Sequence, residues 1–477
     1  MKRPINNLRG MKSEDLGKNI KKTWKEKAVE RNREIQALKK RIKELTHSRN
    51  NWKGKYRDLR SEVGYQLVEL SGQKPAHHSY PTLVIWFCVQ AQSYGSMSLR
   101  GCVQVLLCLR LVSSRLNQKL VPSYNSIRNW CCKAGYHRLV YEGSVEEGEW
   151  VYFVDESISL GKERILLVLG IPVNRLDFKK SLSLDSMRVL SIELSKSWKG
   201  QDIAAVLSKL RERFPMAYVV SDEGNNLRKS YQLLGCTHIP DCGHRLANIV
   251  EKLYRHDPFF VEFSKKSASL RRKWSLSKHA AYMPPMQRSK ARFANLFPVV
   301  EWAYKCLQHW EKFPSEVQSE AEFIKENTEW IREFYAIQQR IAYLGKLLKN
   351  KGFSAKNHRK IKRKLLKRER RRRVKKFVKQ VLDYLEMLSQ KVVAGCNKIY
   401  CSSDVIESAF GKFKQKINPK SSQAMSEFVL TLASIGSAYN EEEIKNAMEK
   451  TKQEDINNWR EKSPSLAQQR KEIFDEK

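Results

Sequence analysis

The sequence has little negative charge for its size. In 477 residues there are 51 Asp and Glu against 90 Lys and Arg, which gives a formal net charge of +39. A basic excess this large goes beyond what solubility requires and is typical of proteins that bind a polyanion. The predicted partner is therefore nucleic acid.

Long hydrophobic segments are also lacking. The longest uninterrupted apolar run, Leu83 to Val89, is far shorter than the roughly 20 residues that a membrane-spanning helix needs. The first ten residues, MKRPINNLRG, contain no apolar signal core, and the ten cysteines are scattered without a secreted disulfide framework. We expect a soluble protein of a reducing compartment, in a bacterial cytoplasm and associated with the nucleoid.

The first segment carries an apolar seam at alternating steps of three and four residues. Its members are Trp24, Ala28, Ile35, Leu38, Ile42, Leu45, Trp52, Tyr56, Leu59 and Val63. This heptad pattern predicts a long coiled-coil helix that pairs two copies of the chain. Arg31 and Arg49 occupy seam positions, and Gly54 and Gly64 weaken the helix, so the predicted pairing is short or imperfect. The alternative is a basic helix that folds back on its own domain.

A second helical segment ends in VPSYNSIRNWCCKAG, residues 121–135. Pro and Ser mark a helix start, and Gly135 has the position of a helix end. The pattern resembles the recognition helix of a helix-turn-helix unit, in which Tyr124, Asn125 and Arg128 would face a major groove. A plain packing helix with the same start and end is the open alternative.

Strand patterns begin after Glu149. Three apolar, β-branched runs over 150–157, 163–173 and 181–195 predict an antiparallel meander. The pattern then alternates between helix (199–214), strand (216–224), helix (225–234) and short strand (237–241), which predicts parallel pairing. This βββαβαβ order is that of the RNase H-like fold.

A basic helical region follows, over about residues 243–390. Within it, thirteen of the eighteen residues from 359 to 376 are Lys or Arg, and Glu369 is the only acid. Like charges at this density repel unless phosphates neutralise them, so we predict sequence-independent contact with DNA. The proposed contacts are Arg370, Arg371, Arg372 and Arg373, and the alternative is a merely solvated face.

Two aspartates follow apolar strands. Asp155 and Asp222 lie at the carboxyl ends of the first and fourth predicted strands, which are neighbours in the expected sheet. A single acid at a strand end is more often a turn or cap residue, but this pair occupies the two positions where one edge would collect them. Two-metal phosphoryl transfer needs carboxylates from separate elements, so the predicted cofactor is Mg²⁺ or Mn²⁺.

Five strings carry a resemblance to a known family: YFVDES, VVSDEGNNLRK, HIPDCGHRLANIVEK, QRSKARFANLFPVVEW and SSDVIESAFGKFK. In this order, over about residues 81–440, the chain resembles insertion-sequence transposases of the DDE class. The resemblance implies that Asp155, Asp222 and Glu407 hold the metal ions and that the enzyme cleaves transposon ends and joins the 3′ hydroxyl to target DNA. The partner that it implies is double-stranded DNA, both the transposon ends and the target. A catalytically silent DNA-binding descendant and a structure-specific nuclease are the alternatives.

Further features follow from the resemblance. The 184 residues between Asp222 and Glu407 imply an all-helical insertion domain similar to that of hAT transposases. The chain departs from hAT enzymes at Cys242 and His244, which are separated by one residue rather than two. The implied DNA contacts are His244, Arg245, Arg288, Arg292, Trp302, Lys412 and Lys414.

The segment from Cys236 to His244 also offers zinc ligands. Cys236, His238, Cys242 and His244 lie within nine residues. Their spacing is not that of the common zinc fingers, and alternate positions on a strand leave little room for a tetrahedron, so a zinc site is the less favoured interpretation.

Together these patterns predict an α+β protein with an RNase H-like mixed sheet interrupted by a large helical insertion and preceded by a coiled-coil and helix-turn-helix-like region. The expected domains are a coiled coil (1–75), a helical DNA-binding domain (76–148), the first part of the core (149–254), the insertion (255–398), the second part of the core (399–440) and a polar helical tail (441–477).

Overall fold

The computed structural model describes residues 24–69, 74–112, 121–141, 148–160, 163–287, 297–366, 369–391, 398–416, 425–434, 436, 438–461 and 474. The chain divides into two units, Met1–Gln73 and Lys74–Lys477. The second unit is α+β, with a small mixed five-stranded sheet and many helices.

The described part of the first unit is one helix, α1 (Trp24–Glu69), of 46 residues. This confirms the long helix that the heptad pattern predicts. The apolar seam of α1 is open to solvent: Ile35, Leu38, Ile42, Leu45 and Trp52 have between 48% and 70% of their surface exposed. A stripe of this kind on a soluble helix marks an interaction surface.

The sheet confirms the predicted strand order. Its strands are β1 (Trp150–Leu160), β2 (Glu163–Pro172), β3 (Arg188–Ser195), β4 (Met216–Ser221) and β5 (His238–Pro240), arranged β3-β2-β1-β4-β5. β1, β2 and β3 pair antiparallel, whereas β4 pairs parallel with both β1 and β5. Helix α5 (Gly200–Arg213) precedes β4 and α6 (Asn225–Leu234) follows it.

The third strand is shorter than predicted. The run over 181–195 forms a strand only from Arg188, which pairs with Gly170, and residues Leu184–Ser186 form a 3-10 turn. β2 ends at Pro172, which has no N–H to donate, so the ladder with β3 does not extend further.

Each face of the sheet has its own core, as the two-residue period of a strand requires. Tyr152 and Val154 pack with residues of α5 and α6, such as Ile203 and Tyr231. Val151, on the opposite face, packs in the larger core that the remaining helices complete.

The region after β5 is helical, as predicted. Its helices are α7 (Cys242–Tyr254), α8 (Pro258–Trp274), α9 (Phe297–Gln308), α10 (Ser315–Glu320), α11 (Glu322–Glu326), α12 (Thr328–Lys351), α13 (Ala355–Leu365) and α14 (Arg372–Gln390). The aromatic rings of Tyr254, Phe263, Trp330 and Phe334 pack together inside it. After α14, Ile399 forms an isolated antiparallel β-bridge with Phe353, outside the sheet. The chain then enters α15 (Asp404–Lys416).

The helices before and after this core pack against each other. α2 (Thr82–Ser93), α3 (Leu99–Val112) and α4 (Tyr124–Val140) contact α16 (Met425–Ala433), α17 (Glu441–Lys450) and α18 (Gln453–Glu461) through α4. Ile444 and Met448 are buried beside Ile127, so residues 441–461 are more than the polar tail that the sequence predicts. The sequence suggested a polar tail because α17 and α18 each have only two or three apolar residues among charged and polar ones.

Gly135 has a different role from the predicted one. It lies inside α4, which continues to Val140, and a Cβ at this position would overlap the carbonyl oxygen of Leu430. The glycine therefore allows α4 and α16 to approach closely and does not end the helix.

Candidate active site

Asp155 and Asp222 lie on or next to the neighbouring central strands β1 and β4. Asp155 lies within β1, which continues to Leu160, and not at the carboxyl end of the strand as predicted; Asp222 directly follows β4. The parallel register of β1 and β4 pairs Phe153 with Val220. Continued by two residues, it brings Asp155 level with Asp222, and adjacent strands are about 4.8 Å apart. Phe153 and Val220 both face the larger core, so the two carboxylates share that face.

Glu407 comes to the same place from a distant part of the sequence. It lies in the first turn of α15, and α15 packs against β1. The larger core contains Ile406 and Phe410, which anchor this helix. The side chain of Glu407 is 58% exposed, and its Oε1 lies 3.7 Å from Nε2 of His244.

Asp241 ties the pieces of this site together. It precedes α7, and its Oδ1 accepts hydrogen bonds from the backbone N–H of His244 at 2.7 Å and from His244 Nδ1 at 3.0 Å. Its Oδ2 accepts from the backbone N–H of Ser403 at 2.6 Å, immediately before α15. One buried carboxylate thus fixes the start of α7, the ring of His244 and the approach to Glu407.

Sequence reasoning missed Asp241 as a site residue. Its only local signal is an Asp directly before a helix, which is a common cap. Burial would raise the pKa of Asp241, but the hydrogen bonds from His244 and Ser403 outweigh it, and the pKa lies below its ordinary value. Asp241 is therefore a negative charge in the folded protein.

The ionisation of Asp155 depends on its burial and on the other two predicted acids. Burial raises the pKa of Asp155 to about 7, and the negative charges of Asp222 and Glu407 add to this, whereas His244 opposes it. A carboxyl group with a pKa this far above 3.8 is poorly compensated in the unliganded protein. Such a cluster attracts a cation or a proton.

The donors match a hard divalent cation, because three carboxylates offer the oxygen ligands that Mg²⁺ and Mn²⁺ prefer. In the described part of the chain, no group of three or more His, Cys, Asp or Glu side chains is already close enough to hold a metal ion. Glu407 is the most exposed of the three acids, and coordination by all three would require their side chains to move closer together.

The four possible zinc ligands have other partners. Cys242 is fully buried, with a hydrogen bond between its thiol and Cys401, and Cys236 contacts the carbonyl of Tyr231. His238 bonds Ser221 at 3.1 Å, and His244 bonds Asp241.

Of the other predicted DNA contacts, Arg245, Lys412 and Trp302 contact groups of the chain itself. Arg245 donates to both oxygens of Glu223, at 2.9 and 3.1 Å, and Lys412 lies 5.4 Å from the ring centre of Tyr94. Trp302 donates its indole N–H to the carbonyl of Tyr282, which is a packing role. Arg288, Arg292 and the side chain of Lys414 lie outside the described residues.

The four consecutive arginines before and in α14 are not equivalent. Arg371 pairs with Glu369 at 2.8 Å, and Arg373 pairs with the buried Asp257 at 2.6 Å. Arg370 and Arg372 are exposed. Only these two of the four are open to a DNA phosphate.

A denser basic surface lies on α13. Ile361 and Leu365 dock this helix on the core, and six basic side chains of its eleven residues are exposed: Lys356, Arg359, Lys360, Lys362, Arg363 and Lys364. Part of this surface lies inside the predicted basic run, but the sequence did not show which residues of the run face outward.

The predicted recognition helix is exposed at its amino-terminal turn and at its last residue, Val140, and is buried or half-buried between them. Ser123 caps α4 by accepting from Ser126 N at 3.1 Å, and Tyr124 and Asn125 are exposed. Arg128 is half-buried, and α4 packs against α2, α3, α16, α17 and α18. Residues 113–120, which would form the turn before it, lie outside the described residues.

No helix in the described ranges is long and apolar enough to cross a membrane. No protein-family model matches the chain, and no curated protein matches its sequence.

Proposed function

We propose that this protein is a DNA transposase of the DDE type, which cleaves transposon ends and joins the 3′ hydroxyl to target DNA. One observation carries the proposal: Asp155, Asp222 and Glu407, from two strands and a helix far apart in sequence, influence one ionisation, that of Asp155. The strand order β3-β2-β1-β4-β5 supports an RNase H-like core beneath these acids.

The chain's own groups suit phosphoryl transfer. Divalent metal ions held by Asp155, Asp222 and Glu407 would supply activation of a water or 3′ hydroxyl and stabilisation of the leaving oxygen. His244 is held by Asp241 at the rim of the acids, which orients its Nε2 toward the space beside Glu407. Since Nδ1 already donates to Asp241, Nε2 can donate a hydrogen bond to a phosphate oxygen when the ring is protonated on both nitrogens.

The basic surfaces support DNA as the substrate. The exposed lysines and arginines of α13, together with Arg370 and Arg372, form a region of one charge sign. Cations arranged in this way bind the phosphate backbone without reading its sequence.

The experiment that tests the proposal is a joining reaction with the full chain. The protein, Mg²⁺, duplexes from the DNA that flanks its reading frame and a supercoiled target plasmid are incubated together. We expect cleaved ends covalently joined to the plasmid. Cleavage without joining would identify a nuclease, and binding without cleavage a catalytically silent protein.

A further inference from the structure

The seam of α1 is an exposed apolar surface that the proposed chemistry does not use. We define the α1 seam as Ile35, Leu38, Ile42, Leu45 and Trp52. Water covers about half or more of each of these side chains. They recur at steps of three and four residues, apart from the seven-residue step to Trp52 across Arg49, and so share one side of the helix.

The residue types at the seam select a partner. Ile35 and Ile42 occupy the first position of successive heptads, and Leu38 and Leu45 occupy the fourth. β-branched residues at the first position with leucine at the fourth favour two parallel strands over larger assemblies. We propose that a second copy of this chain covers the α1 seam, as a parallel, in-register, two-stranded coiled coil.

Flanking charges agree with this orientation. In the antiparallel register that keeps the four aliphatic residues together, Lys39 would face Lys39 of the second copy, and Arg41 would face Arg41. In the parallel register, Arg41 lies opposite Thr46, and Ser48 opposite Lys53. Arg31 and Arg49 meet another arginine in both of these arrangements, so they weaken the pair without choosing between them.

Pairing has a consequence for the rest of the chain. In a parallel pair the carboxyl ends of the two α1 helices lie side by side, and both chains continue from that end. Each particle then carries two copies of the acidic site and of the α13 basic surface. The dimer is inferred from α1 alone, so it stands independently of the proposed chemistry.

Mass measurement on the full chain tests the pairing. By light scattering at micromolar concentration in high salt, without DNA, we expect twice the mass of the 55.8 kDa chain. Leu38→Glu with Leu45→Glu places charge in the seam and should give a monomer. Lys40→Glu with His47→Glu, on the opposite, exposed side of α1, is the matched control and should stay dimeric. A monomeric wild type, or a dimeric seam variant, would overturn the proposal.

Oxidative cross-linking tests the orientation. Arg49→Cys, in a background where the exposed Cys108 is replaced by Ser, should form a disulfide-linked dimer, because position 49 faces itself only in the parallel pair. Lys40→Cys, on the outer side, should not. A dimeric protein in which Arg49→Cys stays uncross-linked would rule out the parallel register. Neither experiment depends on DNA cleavage, so failure here is distinguishable from failure of the proposed function.

Discussion

Replacing Asp155 by Asn should stabilise the protein at neutral pH when divalent ions are absent. The pKa of this carboxyl is 3.8 ordinarily and about 7 in the folded protein. Between these values the unfolded chain releases the proton and the folded chain keeps it, so wild-type stability falls as pH rises. From pH 5 to pH 8 the loss amounts to about 2 to 3 kcal/mol, at 1.36 kcal/mol per pKa unit.

Asparagine has nearly the shape of aspartate and does not ionise, so the variant escapes this loss. In a folded unit of about 400 residues, 2 to 3 kcal/mol corresponds to a Tm difference of roughly 3 °C. In thermal unfolding with a chelator present, we expect the Tm of the variant minus the Tm of wild type to be about 3 °C larger at pH 8 than at pH 5.

The control is Asp383→Asn, which removes the same charge from an exposed position of α14. It should leave the pH dependence as in wild type. Added Mg²⁺ should raise the Tm of wild type at pH 8 and narrow its gap to the Asp155 variant. If the Asp155 variant is equally or less stable than wild type at both pH values, burial and the neighbouring acids do not raise the pKa of Asp155 as argued.

Two further outcomes follow from the contacts. Replacing Arg359, Lys360, Lys362 and Arg363 by Gln should weaken binding to end and non-end DNA alike. The slope of log affinity against log salt concentration should become shallower by up to about 3 to 4, at about 0.9 per phosphate contact. An unchanged slope in a filter-binding titration would remove α13 from the interface. Asp241→Ala should lower the free energy of unfolding, measured by urea denaturation, by roughly 2 to 4 kcal/mol, because it removes a helix cap and leaves the Ser403 N–H unpaired. Asp241→Asn keeps a hydrogen-bond acceptor and should lower the free energy of unfolding by less. Equal decreases in the two variants would contradict the capping role.

The sheet could be predicted because its signal is local. The continuous apolar runs at the start of β1 and along β4 mark the strands, and the chain order then gives their neighbours. Asp155 and Asp222 follow from the same information, because each comes directly after an apolar run, although β1 continues five residues beyond Asp155. Glu407 depended on resemblance, because a glutamate in a helix has no local signature of a ligand.

The features that could not be predicted depend on partners distant in sequence. Arg373 reads as part of a DNA-binding run until Asp257 is found beside it. From the sequence, Asp241 is only a helix cap; its second partner, the backbone N–H of Ser403, lies 162 residues away in the chain. Gly135 resembles a helix end because its reason, the backbone of Leu430, lies in another helix. Tertiary contacts, rather than propensity, decide these positions.

The most direct measurement of the central claim is cleavage of end DNA in Mg²⁺ by Asp155→Asn, Asp222→Asn and Glu407→Gln, with Asp383→Asn as the control. Each of the three replaces one carboxylate at nearly constant shape. Loss of one metal ligand should slow cleavage by about 1000-fold or more, while binding of the ends is retained and the control cleaves like wild type. Near-normal cleavage by any of the three variants would remove that residue from the site and contradict the three-carboxylate account.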